Sequence, residues 1–183
     1  DGGLRRALAK HDPQLALAHW QAGSEPGSPV PTTILTELAT VDPHAAFDLF
    51  TGDGGELEGR RALASIIRGW PAGRLDELLP RLHDHQERFP STDLDNSYRN
   101  IGGLLARSGR MSEGLEWVLA QDDPGLREAI LKGMLQRQQP LEEGALERIA
   151  ALPHEELLAF ENFEDVLRAN MGDRAAAWDW LQS

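Results

Sequence analysis

The chain has 183 residues, of which 40% are hydrophobic and 26% charged, with no cysteine and a formal net charge of −12. This is the composition of a folded globular protein, and it excludes disulfides, thiolate catalysis and cysteine-ligated zinc. No apolar run approaches the roughly 18 to 20 residues needed to span a bilayer, so no membrane insertion is expected. The charge is unevenly placed. Residues 1–52 carry 3 basic and 6 acidic side chains, residues 53–110 carry 9 and 9, and residues 111–183 carry 6 and 15. An acidic final third repels phosphate backbones, which argues against a nucleic-acid partner. That acidity reads as solvated outer helix faces, with an acidic surface that meets a basic partner as the alternative. The start, Asp1-Gly2-Gly3-Leu4, has neither Met nor a signal-peptide pattern, so the chain reads as a processed or excised piece of a longer one. The compartment is left open, although a chain without cysteine is at ease outside the cytoplasm.

In chain order, the spacing predicts helices in pairs. The first pair (about 4–22) turns at Asp12-Pro13 and the second (about 32–51) at Asp42-Pro43, two steps that lie 30 residues apart. Each Asp is followed four residues later by Ala (Ala16, Ala46) and eight residues later by an aromatic (Trp20, Phe50). Asp is a good N-cap, and Pro fits the first helical turn, where its missing N–H costs nothing. The matching offsets read as a repeat. Between the pairs, residues 22–31 form a loop rich in Pro and Gly, and Thr32 or Thr33 opens the next helix.

The third pair (about 57–88) should bury Leu63, Ile66, Ile67 and Trp70 while Arg60, Arg61 and Arg68 face elsewhere. Its second helix is expected to end near Leu82, leaving His83–Thr92 as a solvated insertion. The fourth pair (about 94–121) has the clearest pattern. Tyr98, Ile101, Leu104 and Leu105 precede a tight turn at Ser108-Gly109-Arg110, and Met111, Leu115, Val118 and Leu119 follow it at helical spacing. Gly102 and Gly114 sit mid-helix, where glycine costs about 1 kcal/mol relative to alanine. Their presence predicts that another helix crosses closely. A fifth pair (about 125–152) and a sixth (about 153–182) complete the chain. No stretch alternates with period two over β-branched residues, so no strand is expected.

Tyr98, Ile101-Gly102, Leu105, Gly109, Met111, Gly114 and Val118 resemble the tetratricopeptide pattern, with Gly114 at its small-residue site and Val118 at its usual aromatic site. The Asp-Pro hairpins resemble the divergent helical repeats of large bacterial proteins. The resemblance implies an all-α fold: an α-solenoid, or αα-superhelix, of about six hairpins in one repeat domain. The first helix of each pair would line its concave surface. No hairpin buries its apolar face alone, and stacking makes the core continuous. Trp178, Trp180 and Leu181 would cap the last hairpin or dock onto a neighbour.

On that reading the binding candidates are concave-face residues of first helices: Asn96, Arg99 and Gly103 in the fourth pair, and Arg61 and Arg68, seven residues apart and so on one face, in the third. Arginine suits bidentate capture of carboxylates, but Gly103 stands where a carboxylate clamp needs Asn. His83, His85 and Glu87 offer the only metal-ligand spacing. As a helix they place His83 with Glu87 and turn His85 away; extended, they lack a third ligand. His154-Glu155-Glu156 lacks the second histidine of a metalloprotease helix, and its carboxylates suit a helix start. No nucleophile elbow, phosphate loop or dinucleotide fingerprint is present. No catalytic residue, metal site or cofactor is therefore assigned. The leading expectation is a non-enzymatic module that binds a protein or peptide, or scaffolds a larger assembly. The alternatives are a helical enzyme domain with a pocket near 83–92, or self-association through Trp178 and Trp180.

Overall fold

A computed structural model describes residues 2–25, 27–50, 57–90, 92–135 and 148–149. The described residues are predominantly helical and contain no strand, so the fold is all-α. They form two compact units, Asp1–Ser97 and Tyr98–Ser183. The division falls inside one helix.

The first unit contains α1 (Gly2–His11), α2 (Pro13–Gly23), α3 (Thr32–Val41), α4 (Pro43–Asp48), α5 (Leu57–Gly69), a 3-10 turn (Ala72–Arg74), α6 (Leu75–Arg88) and the start of α7 (Leu94–Arg107). Its two Asp-Pro corners are built alike. A single residue separates α1 from α2, and again α3 from α4. Asp12 Oδ1 accepts the Leu15 amide at 2.8 Å, and Asp42 Oδ1 accepts the Ala45 amide at 3.0 Å. Each Asp also donates its own N–H back into the helix that ends there, to Leu8 O and Leu38 O. One residue thus closes one helix and caps the next, while Pro13 and Pro43 start the new helix without losing a bond. Ala16 and Ala46, one turn on, are both buried.

Helix α3 is the centre of this unit. It packs on α1, α2, α4 and α5, and buries Ile34, Leu35, Leu38 and Ala39. Helix α5 answers with Leu63, Ile66 and Ile67, followed by Trp70, all buried; each of the three aliphatics is worth about 1.5–3 kcal/mol. The approach is tightest at Gly69. A Cβ there would overlap the Thr36 carbonyl oxygen and stand 3.0 Å from the Ala39 Cβ. Only glycine lets the two backbones meet.

The expected loop from His83 is overturned, because α6 runs on to Arg88. Its apolar stripe, Leu75, Leu78, Leu79 and Leu82, is extended by His85, which is only 5% exposed. The ring packs with Phe50 and Phe89 at centroid distances of 4.7 and 4.8 Å, and with Phe47 edge-on. His85 serves as an aromatic core residue, so the stripe continues one turn beyond the last leucine. Pro80, within the helix, lies on its exposed side.

The second unit contains the remainder of α7, α8 (Met111–Leu119) and α9 (Pro124–Leu135). Gly109 makes the α7–α8 turn with φ +68°, a left-handed conformation that favours glycine. Tyr98, Ile101, Leu104, Leu105, Met111, Leu115 and Val118 are buried as their spacing predicts, and Leu119 is half-buried. Asp123 caps α9 through the amides of Gly125 and Leu126. Gly102 marks a close crossing, here with α9, while Gly114 faces the Leu105 side chain. Arg148 reaches Glu116 Oε1 at 2.6 Å. The second helix of the expected fifth pair, apart from residues 148–149, and the whole sixth pair, with His154 to Glu156, Trp178, Trp180 and Leu181, lie outside the described residues.

Candidate functional site

The clearest concentration of ligand-binding chemistry lies in the first unit, in a cleft of about 250 Å³ lined by Arg6, Lys10, Thr32, Thr33, Thr36, Glu37 and Arg68. Every lining residue comes from α1, α3 or α5. Arg6 and Lys10 are one turn apart, as are Thr32 and Thr36, and Thr33 and Glu37, so each pair shares a helix face. Arg68 arrives from α5 because its neighbour Gly69 brings that backbone against Thr36.

The electrostatics are lopsided. Three cations face one carboxylate, Glu37, and Arg6, Lys10 and Arg68 make no ion pair among the described residues. This occurs on a chain whose net charge is −12. The Thr36 hydroxyl donates to Thr32 O at 2.9 Å and so does not donate into the cleft. Thr32 and Thr33, both exposed, form the first turn of α3, which has no side-chain cap because Pro31 precedes it.

A second cleft, of about 320 Å³, adjoins the first and shares Arg6 and Thr33 with it. Its walls are mainly apolar: Leu8, Ala16, Trp20, Pro31 and Ile34, with His19 among the polar lining. Trp20 is half-buried against the small core cluster of Ala9, Ala16 and Ile34. It serves as both packing and wall.

Of the residues expected to bind, Arg68 alone lines the basic cleft. Arg61 is exposed two turns earlier on α5, where its carbonyl accepts the Ser65 hydroxyl. Asn96 is exposed in the first turn of α7, and its amide donates to Asp93. Arg99 is exposed in the second unit, where its carbonyl lies under Gly133. Gly103 faces the Arg107 side chain of its own helix. The contributions of Arg6, Lys10 and the threonines were not anticipated from the sequence. The one-turn spacing of Arg6 and Lys10 was the available signal.

A polar network elsewhere has a different character. Arg74 grips Glu77 through Nε and Nη2 at 2.7 and 2.6 Å, and His44 Nε2 lies 2.7 Å from Glu77 Oε2. The Arg74 hydrogen bonds, helped by His44, hold the Glu77 carboxyl down at about 2. A carboxylate that stays charged throughout the neutral range is neither a proton donor nor a poised base. The Trp70 indole, which meets the His44 ring edge-on, donates to Arg74 O at 2.9 Å and ties this network to the core. Its role is structural.

Among the described residues no three His, Cys, Asp or Glu side chains come together as metal ligands, and no helix is long and apolar enough to cross a membrane. His83 is exposed and His85 buried on the same helix, so they do not share a site. No family model matches the chain, and neither a curated protein nor a solved structure matches it.

Proposed function

We propose that the chain is a tetratricopeptide-like α-solenoid module whose successive hairpins bind a protein or peptide segment along the face formed by their first helices. The observation that carries this reading is the basic cleft, whose described lining residues come from α1, α3 and α5, while α2 adds Ala16 and Trp20 only to the adjoining apolar cleft. Helices that alternate in sequence thus contribute to one recess, which is compatible with stacked hairpins. The twin Asp-Pro corners and the packing of α3 on both α1 and α5 support the same arrangement. Arginine and threonine side chains on rigid helices suit recognition of a polar chain, since little ordering is needed on binding.

Selection of a random peptide library against the immobilised full chain tests the reading. Enrichment of a recurring peptide motif that binds the chain in solution is the expected result. Selection that enriches nothing, with the chain instead forming defined oligomers, would replace it by self-association.

A further inference from the structure

We infer, resting on that reading, that the segment taken by the two adjoining clefts is acidic and carries a large apolar side chain next to its acidic group. The apolar side chain occupies the Trp20 cleft, and the carboxylate is held by Arg6, Lys10 and Arg68. The shared lining of the two recesses is the first support. Arg6 and Thr33 line both, so a ligand in one lies beside the other. The apolar recess, about 320 Å³ between Leu8, Ala16, Trp20 and Ile34, has room for a side chain of phenylalanine or leucine size. Burying such a group there removes its apolar surface from water, which favours binding.

Charge is the second support. Among the described lining residues, three cations meet the one carboxylate of Glu37, which leaves an excess of positive charge, and cations sharing a recess repel one another until an anion enters. The two guanidinium groups present forks that match a carboxylate. A peptide carboxylate fits better than a phosphate. Glu37 lines the same recess and repels a dianion more strongly, and the Thr36 hydroxyl is already engaged with Thr32 O.

The test is fluorescence anisotropy of the full chain with a short labelled peptide containing Phe-Glu-Asp. It is compared with the same peptide bearing Lys for both acids, with one bearing Ser for Phe, and with adenosine monophosphate as competitor. The acidic peptide is expected to bind, and both altered peptides to bind at least about tenfold more weakly. Arg68→Glu should weaken the acidic peptide about tenfold and strengthen the lysine peptide. Arg68 is exposed and outside any ion pair among the described residues, so the variant should keep the wild-type circular dichroism and midpoint. Equal binding of acidic and lysine peptides, indifference to Arg68→Glu, or displacement by the nucleotide in preference to peptide overturns the inference. If library-selected neutral peptides bind while the acidic one does not, the inference falls and the module reading stands. If no peptide of any kind binds, both fall.

Discussion

Gly102 on α7 and Gly133 on α9 face each other's helices reciprocally. A Cβ on Gly102 would overlap the Ile130 carbonyl oxygen and stand 2.7 Å from the Met134 nitrogen, and a Cβ on Gly133 would overlap the Arg99 carbonyl oxygen. The obstacles are backbone atoms in rigid helices, which do not step aside as a side chain does. Gly102→Ala and Gly133→Ala are each predicted to cost about 1–3 kcal/mol, because overpacking outweighs the gain of about 1 kcal/mol in helix propensity. For Gly114→Ala the nearest atoms belong to the Leu105 side chain, the first at 3.1 Å. There the two effects offset to within about 1 kcal/mol. Urea midpoints of the three variants check this ordering.

Gly69 has the same constraint at the α3–α5 crossing, with a consequence for the site. Gly69→Ala should destabilise the first unit by about 1–3 kcal/mol. It should also weaken peptide binding, since displacing α5 from Thr36 carries Arg68 away from Arg6 and Lys10. A variant that loses stability but binds as wild type would show that Arg68 does not contribute from this position.

The twin corners predict twin penalties. Asp12→Ala and Asp42→Ala each remove a side-chain cap and should cost about 1 kcal/mol, whereas Asn at either position should retain most of the cap. Thermal unfolding of the four variants is the measurement. A large difference between the two alanine variants would mean that the corners are not equivalent.

Glu77 sets a pH dependence. Its folded carboxyl titrates near 2, against an ordinary value of 4.5, because Arg74 bonds the charged form. A depressed carboxyl contributes stability that is present in full above its unfolded value and is lost as pH falls through the folded one. Glu77→Gln should therefore be less stable than wild type at neutral pH, with the gap closing from about pH 5 down to about pH 2. Denaturant titrations at several pH values, with wild type and variant side by side, measure this. A gap that stays constant across that range contradicts the assignment.

What was legible in the sequence was what neighbouring residues decide. The Asp-Pro caps, the Gly109 turn and the apolar stripes of α5, α7 and α8 each depend on a few consecutive positions. Gly102 also signalled correctly that a helix crosses close by, since the cost of a mid-helix glycine implies a compensating contact. His85 misled because a histidine beside His83 and Glu87 looks solvated. Its burial depends on Phe47 and Phe50, more than thirty residues away in sequence. The basic cleft was legible only in part. Arg68 could be placed on an outward face of its helix, but its meeting with Arg6, Lys10 and Thr33 depends on where α1 and α5 lie against α3. That arrangement is tertiary, and helical periodicity alone does not determine it.

On this reading α1, α3 and α5 present one binding face, with Trp20 of α2 at its edge. The most direct measurement is an amide chemical-shift titration of the isotope-labelled full chain with a library-selected peptide. Perturbations are expected to concentrate at Arg6, Lys10, Thr32, Thr33, Thr36 and Arg68, with α4 and α6 unaffected. Perturbations confined to α4 and α6, with those six residues unmoved, would contradict it.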